Sequence, residues 1–494
     1  MSVFNNKDSV FFVGGTGDKS GHVYAGGCTK EFVDENGGFA DFDLSIIMND
    51  NGQPVASTEI GQFTLSGKVI DAQGAFANVA PTGMIAYISD GSSNIATDYY
   101  EVQKVSSDRI YIPNISAFGD SFDVTVVVGG AKTKLSDAVS TVSALNHGVH
   151  VFSNKNEILH SPISVMGNGS ATYNTFFNVI GFNTTLFDMC SGGQYYQSPQ
   201  DAYLNGISSS KNVVIDGDGG SINLIAPVSQ VNTRFQNFHF TNTTNVLIDI
   251  TSGTNENVVV DNCKFSQGAC AVNFGGCDSF YANNCYAHHD ITGARFSGQT
   301  GYITGSIING DPENGNHSIY LHGGKIEGCI IIDGYKYAIT CIGSGGYLIV
   351  KNNTFCNTPE VVVRLANGVN LEFINNICRV PQCCTIIRIE TSGGNINRLD
   401  NNCYWGTDGN PLTTLFQTEV ADGQLPVKSL MDIEADPLFA NAENETFRPT
   451  NPAIIDGGQL INEVSTYIGA VGPKHIFKSN AKCANYGRLS ITRS

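Results

Sequence analysis

Long hydrophobic runs are missing from this 494-residue chain. No stretch approaches the ~18 consecutive apolar residues that a membrane-spanning helix needs, which excludes insertion by such a helix. The first residues, MSVFNNKDSVFFVGG, lack the basic start and apolar run of a secretory signal. That absence leads to the expectation of folding in a cytoplasm with reduced thiols. Charge is scarce at 15%, and positive charge scarcest, with 27 Lys and Arg against 45 Asp and Glu and a net charge of −18. Such a balance argues against nucleic acid as a partner and for a soluble surface. CxxC pairs at zinc-ligand spacing do not occur although the chain has 14 cysteines. Helical periodicity is nearly absent as well. What remains is Gly 55, Phe 28 and Tyr 19, the composition of an all-β protein with many turns.

The octets VVVDNCKF (258–265), FYANNCYA (280–287) and LIVKNNTF (348–355) repeat one alternating pattern around a central Asn. Taking the residue after that Asn, or its Gly substitute, marks Gly217, Phe238, Cys263, Cys285, Ser306, Cys329, Thr354, Ile377 and Cys403, spaced 21 to 26 residues apart. Val-, Ile-, Phe- and Tyr-rich strands between Gly, Asn and Asp clusters, at a period of this length, describe a solenoid of stacked β coils. Coils ~4.8 Å apart place like on like, so Asn262, Asn284, Asn353, Asn376 and Asn402 are expected in one amide ladder. Cys263, Cys285, Cys329 and Cys403 are expected to stack in the narrow interior as small apolar thiols, with disulfides or a metal as the other reading. Cys263→Ser is predicted to destabilise such a coil.

Residues 1–128 lack the period. Their strand-like runs, Phe39–Met48, Gln62–Ile70, Met84–Ile88, Tyr99–Val105, Arg109–Ile112 and Ser121–Val128, suit a β-sandwich-like or barrel-like module. In AKTKLSDAVSTVSALNHG, Leu135, Val139, Val142 and Leu145 share one helical face, so residues 129–147 are expected to cap the first coil. The solenoid is assigned residues 129–473, with 436–473 as its last turns. Residues 474–494 hold five cations and no acid, a basic tail that is either a docking arm or a frayed end.

On the strings GGAKTKLSDAVSTV, NHSIYLHGG (316–324), DPLFANAENETFRPTNPAIIDGG (436–458) and YIGAVGP (467–473), the chain resembles the right-handed parallel β-helix proteins of the pectin-lyase-like superfamily, in particular its bacterial and bacteriophage members. The resemblance implies a right-handed solenoid over residues 129–473 and leaves activity open, since that superfamily holds lyases, hydrolases, epimerases, adhesins and phage tailspikes. The Asn-Thr-Asp, Asp-Asp, Gly-His-Gly and Arg-Ile-Lys strings of polygalacturonase-like members are absent, and Arg379-Val380-Pro381-Gln382-Cys383-Cys384 lacks the second Arg of the lyase pattern Arg-x-Pro-x-x-Arg.

Counting from the markers, Asp290, Asp311 and Asp333 fall at offsets 5, 5 and 4, with His288, His289 and Arg295 beside the first and His317 and His322 in the following coil. Stacked carboxylates would either attract Ca²⁺ or shift one another's pKa enough to supply an acid and a base; as ordinary turn residues they would do neither. No other cofactor is indicated. Two functions follow. One is a bacteriophage virion structural protein (tailspike, head spike or capsid decoration), made in the host cytoplasm, homotrimeric, contacting other virion proteins through the N-terminal module and binding polysaccharide. The other is a secreted or cell-surface polysaccharide lyase or glycoside hydrolase that uses Asp290, Asp311, Asp333, His289 and Arg295.

Overall fold

A computed structural model of the chain describes residues 9–13, 62–71, 84–89, 98–106, 108–112, 118–129, 135–136, 149–153, 156–164, 177–181, 197–208, 211–226, 232–251, 255–310, 317–334, 336–390, 394–420, 425–441, 446–455 and 469–470. Within the N-terminal region, Gln62–Gly67, Val69–Asp71, Met84–Ser89, Asp98–Ser106, Arg109–Tyr111 and Phe118–Gly129 form one antiparallel sheet that closes on itself. The run Phe39–Met48 lies outside the described residues. Ser9–Val13 does not join that sheet; it pairs in parallel with Val149–Ser153 and adds a strand to the edge of the solenoid.

From Val149 to Thr418 the described strands run parallel, and their registers resolve into three sheets wound around one core. The first carries Thr233–Gln236, Asn255–Asp261, Cys277–Asn283, Tyr347–Lys351, Asn370–Ile374 and Asn395–Asp400. The second carries Val246–Asp249, Cys270–Phe274, Tyr337–Ile342, Val361–Ala366, Thr385–Ile389 and Phe416–Thr418. Two long strands, Phe296–Thr304 and His317–Glu327, serve both, their first halves in the second sheet and their second halves in the first. The third sheet has ten strands, from Glu157–Ile158 to Cys403–Gly406. This is a parallel β-helix, with side chains alternating between a dry interior and the outer faces. Inside, like stacks on like: Phe240 and Phe265 lie 5.7 Å apart at 15°, Phe274 and Phe280 4.3 Å apart at 16°.

The corner between the first and third sheets corrects the single asparagine column. Phe240 stands opposite Phe265, Ile307 opposite Ile330 and Ile330 opposite Thr354, so two adjacent columns exist. Asn237, Asn262, Asn284, Gly305, Gly328, Asn352, Asn375 and Asn401 form the first, all with φ between 51° and 66°. That backbone needs a residue tolerant of the left-handed region, which Asn and Gly are. The next column points inward and reads Cys263, Cys285, Ser306, Cys329, Asn353, Asn376 and Asn402. Asn262 and Asn284 therefore do not share a column with Asn353. The markers Thr354, Ile377 and Cys403 sit one place late, and Gly217 sits four places late, since Val213 is the residue opposite Phe238. In Asn352-Asn353, Asn375-Asn376 and Asn401-Asn402 the first makes the turn and the second enters the ladder, whereas in Asn283-Asn284 the second makes the turn and Cys285 takes the inner place.

Cys263, Cys285 and Cys329 are fully buried free thiols in this inner column, as expected. Burial pushes the thiols of Cys263 and Cys329 up to about 12, which removes thiolate reactivity. Cys403 belongs to the outward column instead. Cys263 Sγ has carbonyl oxygens of Phe235 and Asp261 at 3.5 Å. A serine hydroxyl there is too short for either distance, and Cys263→Ser is expected to cost about 1–3 kcal/mol in a urea melt; an unchanged midpoint would count against the tight interior.

Of the capping segment 129–147, Gly129 instead ends the N-terminal strand Phe118–Gly129, and Leu135 and Ser136 are helical; Leu135 is buried in the solenoid core and its N–H donates to the Glu157 carboxylate. At the other end, the segment 436–473 supplies no further turns of the coil among the described residues. The antiparallel pair Phe439–Asn441 and Thr446–Pro449 and the short helix Pro452–Ile455 pack sideways on the third sheet, where Phe447 and Ile454 cover Ile307, Ile330, Ile377 and Cys403. An apolar outer face must be covered, and this segment covers it. The helix Pro199–Asn205, N-capped by Ser198, brings Ala202 and Tyr203 onto the same face.

Candidate functional site

Asp290 follows the third-sheet strand Tyr286–Ala287. Its carboxylate accepts the Gln267 N–H at 3.0 Å and lies 2.8 Å from His288 Nδ1. Burial alone would raise its pKa, but those two contacts hold it below the usual carboxylate range. His289 is exposed, its ring 4.0 Å from that of His288. Asp333 is half-buried at φ 47°, its N–H on the Cys356 carbonyl, and burial raises its carboxyl above the ordinary value. Registers set Asp290 three places after Ala287 but Asp333 only two after Ile331, so Asp333 lines up with Gly310 and His289, not with Asp290. Asp311 lies outside the described residues.

Arg295 is fully buried. Its guanidinium donates to the carbonyls of Asn309 at 3.1 Å, Gly293 at 2.8 Å and His289 at 3.0 Å, so it holds the turn 288–295 together across two coils. These contacts are those of a loop clamp. Among the described residues, no group of three or more His, Cys, Asp or Glu side chains is placed to hold a metal ion.

The Asp290 turn opens onto a polar network on the outer face of the third sheet. His239 Nε2 and Ser266 Oγ lie 2.7 Å apart, Ser266 Oγ and Thr241 Oγ1 2.8 Å, and Thr241 Oγ1 and Gln267 Oε1 3.3 Å, and the Gln267 N–H reaches Asp290. Lys264, opposite His239 in the next coil, is fully buried with Nζ on the carbonyl and side-chain oxygens of Asn262. Burial brings its ammonium down to about 8.

The outer face of the second sheet carries a different array. His317 and Tyr337 rings stack 5.7 Å apart, Tyr320 lies 5.4 Å from His317, and the Arg364 guanidinium sits 4.9 Å from the Tyr337 centroid. Hydrogen bonds pin the array: His317 Nδ1 to Thr340 Oγ1 at 2.8 Å, and Arg364 Nη2 to the Glu390 carboxylate. Burial and the Arg364 charge push His317 down to about 4, so its imidazole is neutral at ordinary pH. The first sheet adds the parallel stack of Tyr281 on Tyr302, 4.9 Å apart, beside Arg234 with Asp261 and Glu327 between Lys325 and Lys351.

Of the residues singled out by spacing, the fold thus joins Asp290 with His288 and His289, sets Asp333 one position off, and turns Arg295 inward. It also assembles groups that spacing did not single out: Tyr281 with Tyr302, Tyr337 with Arg364, His239 with Ser266. A correct register applied to the repeat pairs Tyr281 with Tyr302 directly, whereas Tyr337 stands opposite Val361 and His239 opposite Lys264, so the other two meetings are diagonal and depend on side-chain direction.

These features define the chain as a parallel β-helix with chemically distinct outer faces. No protein-family model matches the chain, and no curated protein matches it. Among solved structures it is similar to the catalytic unit of a thermostable GH87 alpha-1,3-glucanase from Streptomyces thermodiastaticus strain HF3-3, at 11% identity over 76% of this chain and 87% of that one, with a TM-score of 0.30. At that overlap the likeness carries no functional weight.

Proposed function

We propose that the protein is a β-helical component of a bacteriophage virion that binds polysaccharide on the lateral faces of its solenoid. The observation that carries the binding half is the pinned row of His317, Tyr320, Tyr337 and Arg364 on the second sheet. Aromatic and guanidinium groups already held by partners lose little entropy when a polyhydroxylated chain docks on their exposed edges and hydroxyls. Binding is favoured over cleavage by the state of the acids on these faces. Asp261, Glu327, Glu390 and Asp400 each lie against a cation; burial would raise the Glu327 carboxyl, but Lys325 and Lys351 hold it below the usual range, which works against a general acid there. The virion half rests on the resemblance of the strings above to phage proteins and on the order of a closed β module followed by a solenoid.

Wild-type protein should bind at least one polysaccharide from a panel of bacterial surface glycans, and Tyr320→Ala should weaken that binding about 10-fold with an unchanged melting temperature. Tyr320 is half-exposed, so its truncation leaves the core intact. Equal affinity of wild type and variant would remove the second-sheet face from the site, and binding to none of the panel would end the glycan reading. The particle assignment has its own test. Mass spectrometry of purified particles should find the chain in fixed copy number, and its absence would overturn that half alone.

A further inference from the structure

We propose that Ser266 and His239 form a nucleophile–base pair that hydrolyses small acyl esters at the polar end of the third sheet's outer face. This activity does not depend on the glycan-binding reading. Most of that face is apolar and covered: Ile307, Ile330, Ile332, Cys356 and Ile377 lie beneath the helix Pro199–Asn205 and the C-terminal segment. The outward positions of the two coils before Tyr286 are polar instead, with His239 and Thr241 in one and Lys264 and Ser266 in the next.

The geometry is that of an activated hydroxyl. His239 and Thr241 occupy alternate outward positions of Phe238–Thr243, and Ser266 follows Phe265, the residue opposite Phe240. Ser266 Oγ therefore meets both, at 2.7 Å from His239 Nε2 and 2.8 Å from Thr241 Oγ1. Thr241 Oγ1 lies between Ser266 Oγ at 2.8 Å, where either hydroxyl can donate, and Gln267 Oε1 at 3.3 Å, which can only accept. In the Nδ1–H tautomer of His239, Nε2 accepts the serine proton across the 2.7 Å contact, and the proposed reaction runs from that tautomer. Burial first, and then the Lys264 charge in the adjacent coil, with His288 adding to them and Asp290 and Asp216 opposing, push His239 down to about 4, so the ring is neutral at ordinary pH and a weak base that relies on the 2.7 Å contact to take the serine proton.

In the reaction, Oγ attacks the acyl carbon while its proton passes to His239 Nε2. The ester C–O bond breaks and the alcohol departs with that proton. Water then attacks the acyl-serine by the same route, releasing the carboxylic acid and restoring the hydroxyl. Ser266 is only 7% exposed, which restricts the acyl group to one about the size of acetyl.

The test uses the full chain with p-nitrophenyl acetate, and a fluorophosphonate probe whose attachment point is mapped by mass spectrometry. The expected result is a label on Ser266, with hydrolysis falling about 100-fold or more in Ser266→Ala and His239→Gln. The acid limb of the kcat/KM profile should lie nearer pH 4 than the ordinary histidine value of about 6.5. An unlabelled wild type, a label on another residue, or a Ser266→Ala protein that hydrolyses the ester at the wild-type rate overturns the proposal. The label map needs no variant, so the result holds even if a substitution impairs folding.

Discussion

Asn376→Ala should destabilise the solenoid by about 3–5 kcal/mol, the largest effect expected of any single polar side chain in it. The residue is fully buried at the centre of the inner ladder. Its Oδ1 accepts from the backbone N–H of Asn353 at 3.0 Å and from the Asn353 amide at 3.1 Å. Its own amide donates to the Val350 carbonyl at 2.9 Å and to Asn402 Oδ1 at 3.1 Å. Alanine leaves all four groups without this partner in a site that water does not reach, and each buried orphan carries a desolvation penalty. The ladder ends at Asp432, whose carboxylate receives the backbone N–H of Asn402 at 2.7 Å, so it is closed at that end too. Equilibrium urea denaturation checks the figure. A loss under about 1 kcal/mol would mean that the ladder relaxes around the gap and is not a rigid element. Asn352→Gly in the neighbouring outer column makes the contrast: at φ 53° glycine is at ease, and the change should cost well under half as much.

Arg295→Met should cost about 2–4 kcal/mol and leave any activity of the folded protein unchanged. Methionine replaces the hydrophobic stem but strands the carbonyls of Asn309, Gly293 and His289, which at present converge on one guanidinium. The turn 288–295 should then open to limited proteolysis at a lower temperature than in the wild type. Asp290→Ala removes a half-exposed carboxylate and should cost about 1 kcal/mol, little beside the arginine. Should Arg295→Met abolish ligand binding or turnover while its melting temperature stays at the wild-type value, the clamp role is wrong and the residue works on a substrate.

The period places Asn376 in the ladder, where the fold has it beside Asn353 and Asn402, while the surroundings of Arg295 are set by the fold alone. The repeat is legible because coil stacking imposes the same demand on each rung: an alternating strand, then a residue tolerant of positive φ. That demand is local, and it leaves Asn or Gly at Asn262, Asn284, Gly305, Gly328 and Asn352. In Asn352-Asn353 two candidates stand side by side, and the letters are indifferent to which one makes the turn. Cross-coil hydrogen bonds decide it, because a shift by one residue would turn Val350 away from Ile326 and Phe373, its register partners in the coils on either side. Arg295 misleads for a related reason. An arginine beside two histidines and an aspartate looks like a reactive cluster, whereas its direction depends on carbonyls of a turn whose path the letters do not describe.

The amino-acid sequence by itself determined a stacked, parallel β architecture, an N-terminal β-rich region without the coil period and a thiol-lined interior, because period, alternation and residue size act through neighbours one coil away. Only the tertiary structure decided the register of the asparagine columns, the lateral course of the C-terminal segment over the third sheet, and which polar residues meet outside. Those outcomes arise from contacts between residues more than twenty positions apart, such as His239 with Ser266 and Ala470 with Thr354. Their energies depend on the geometry of the whole coil, which no short window of sequence contains.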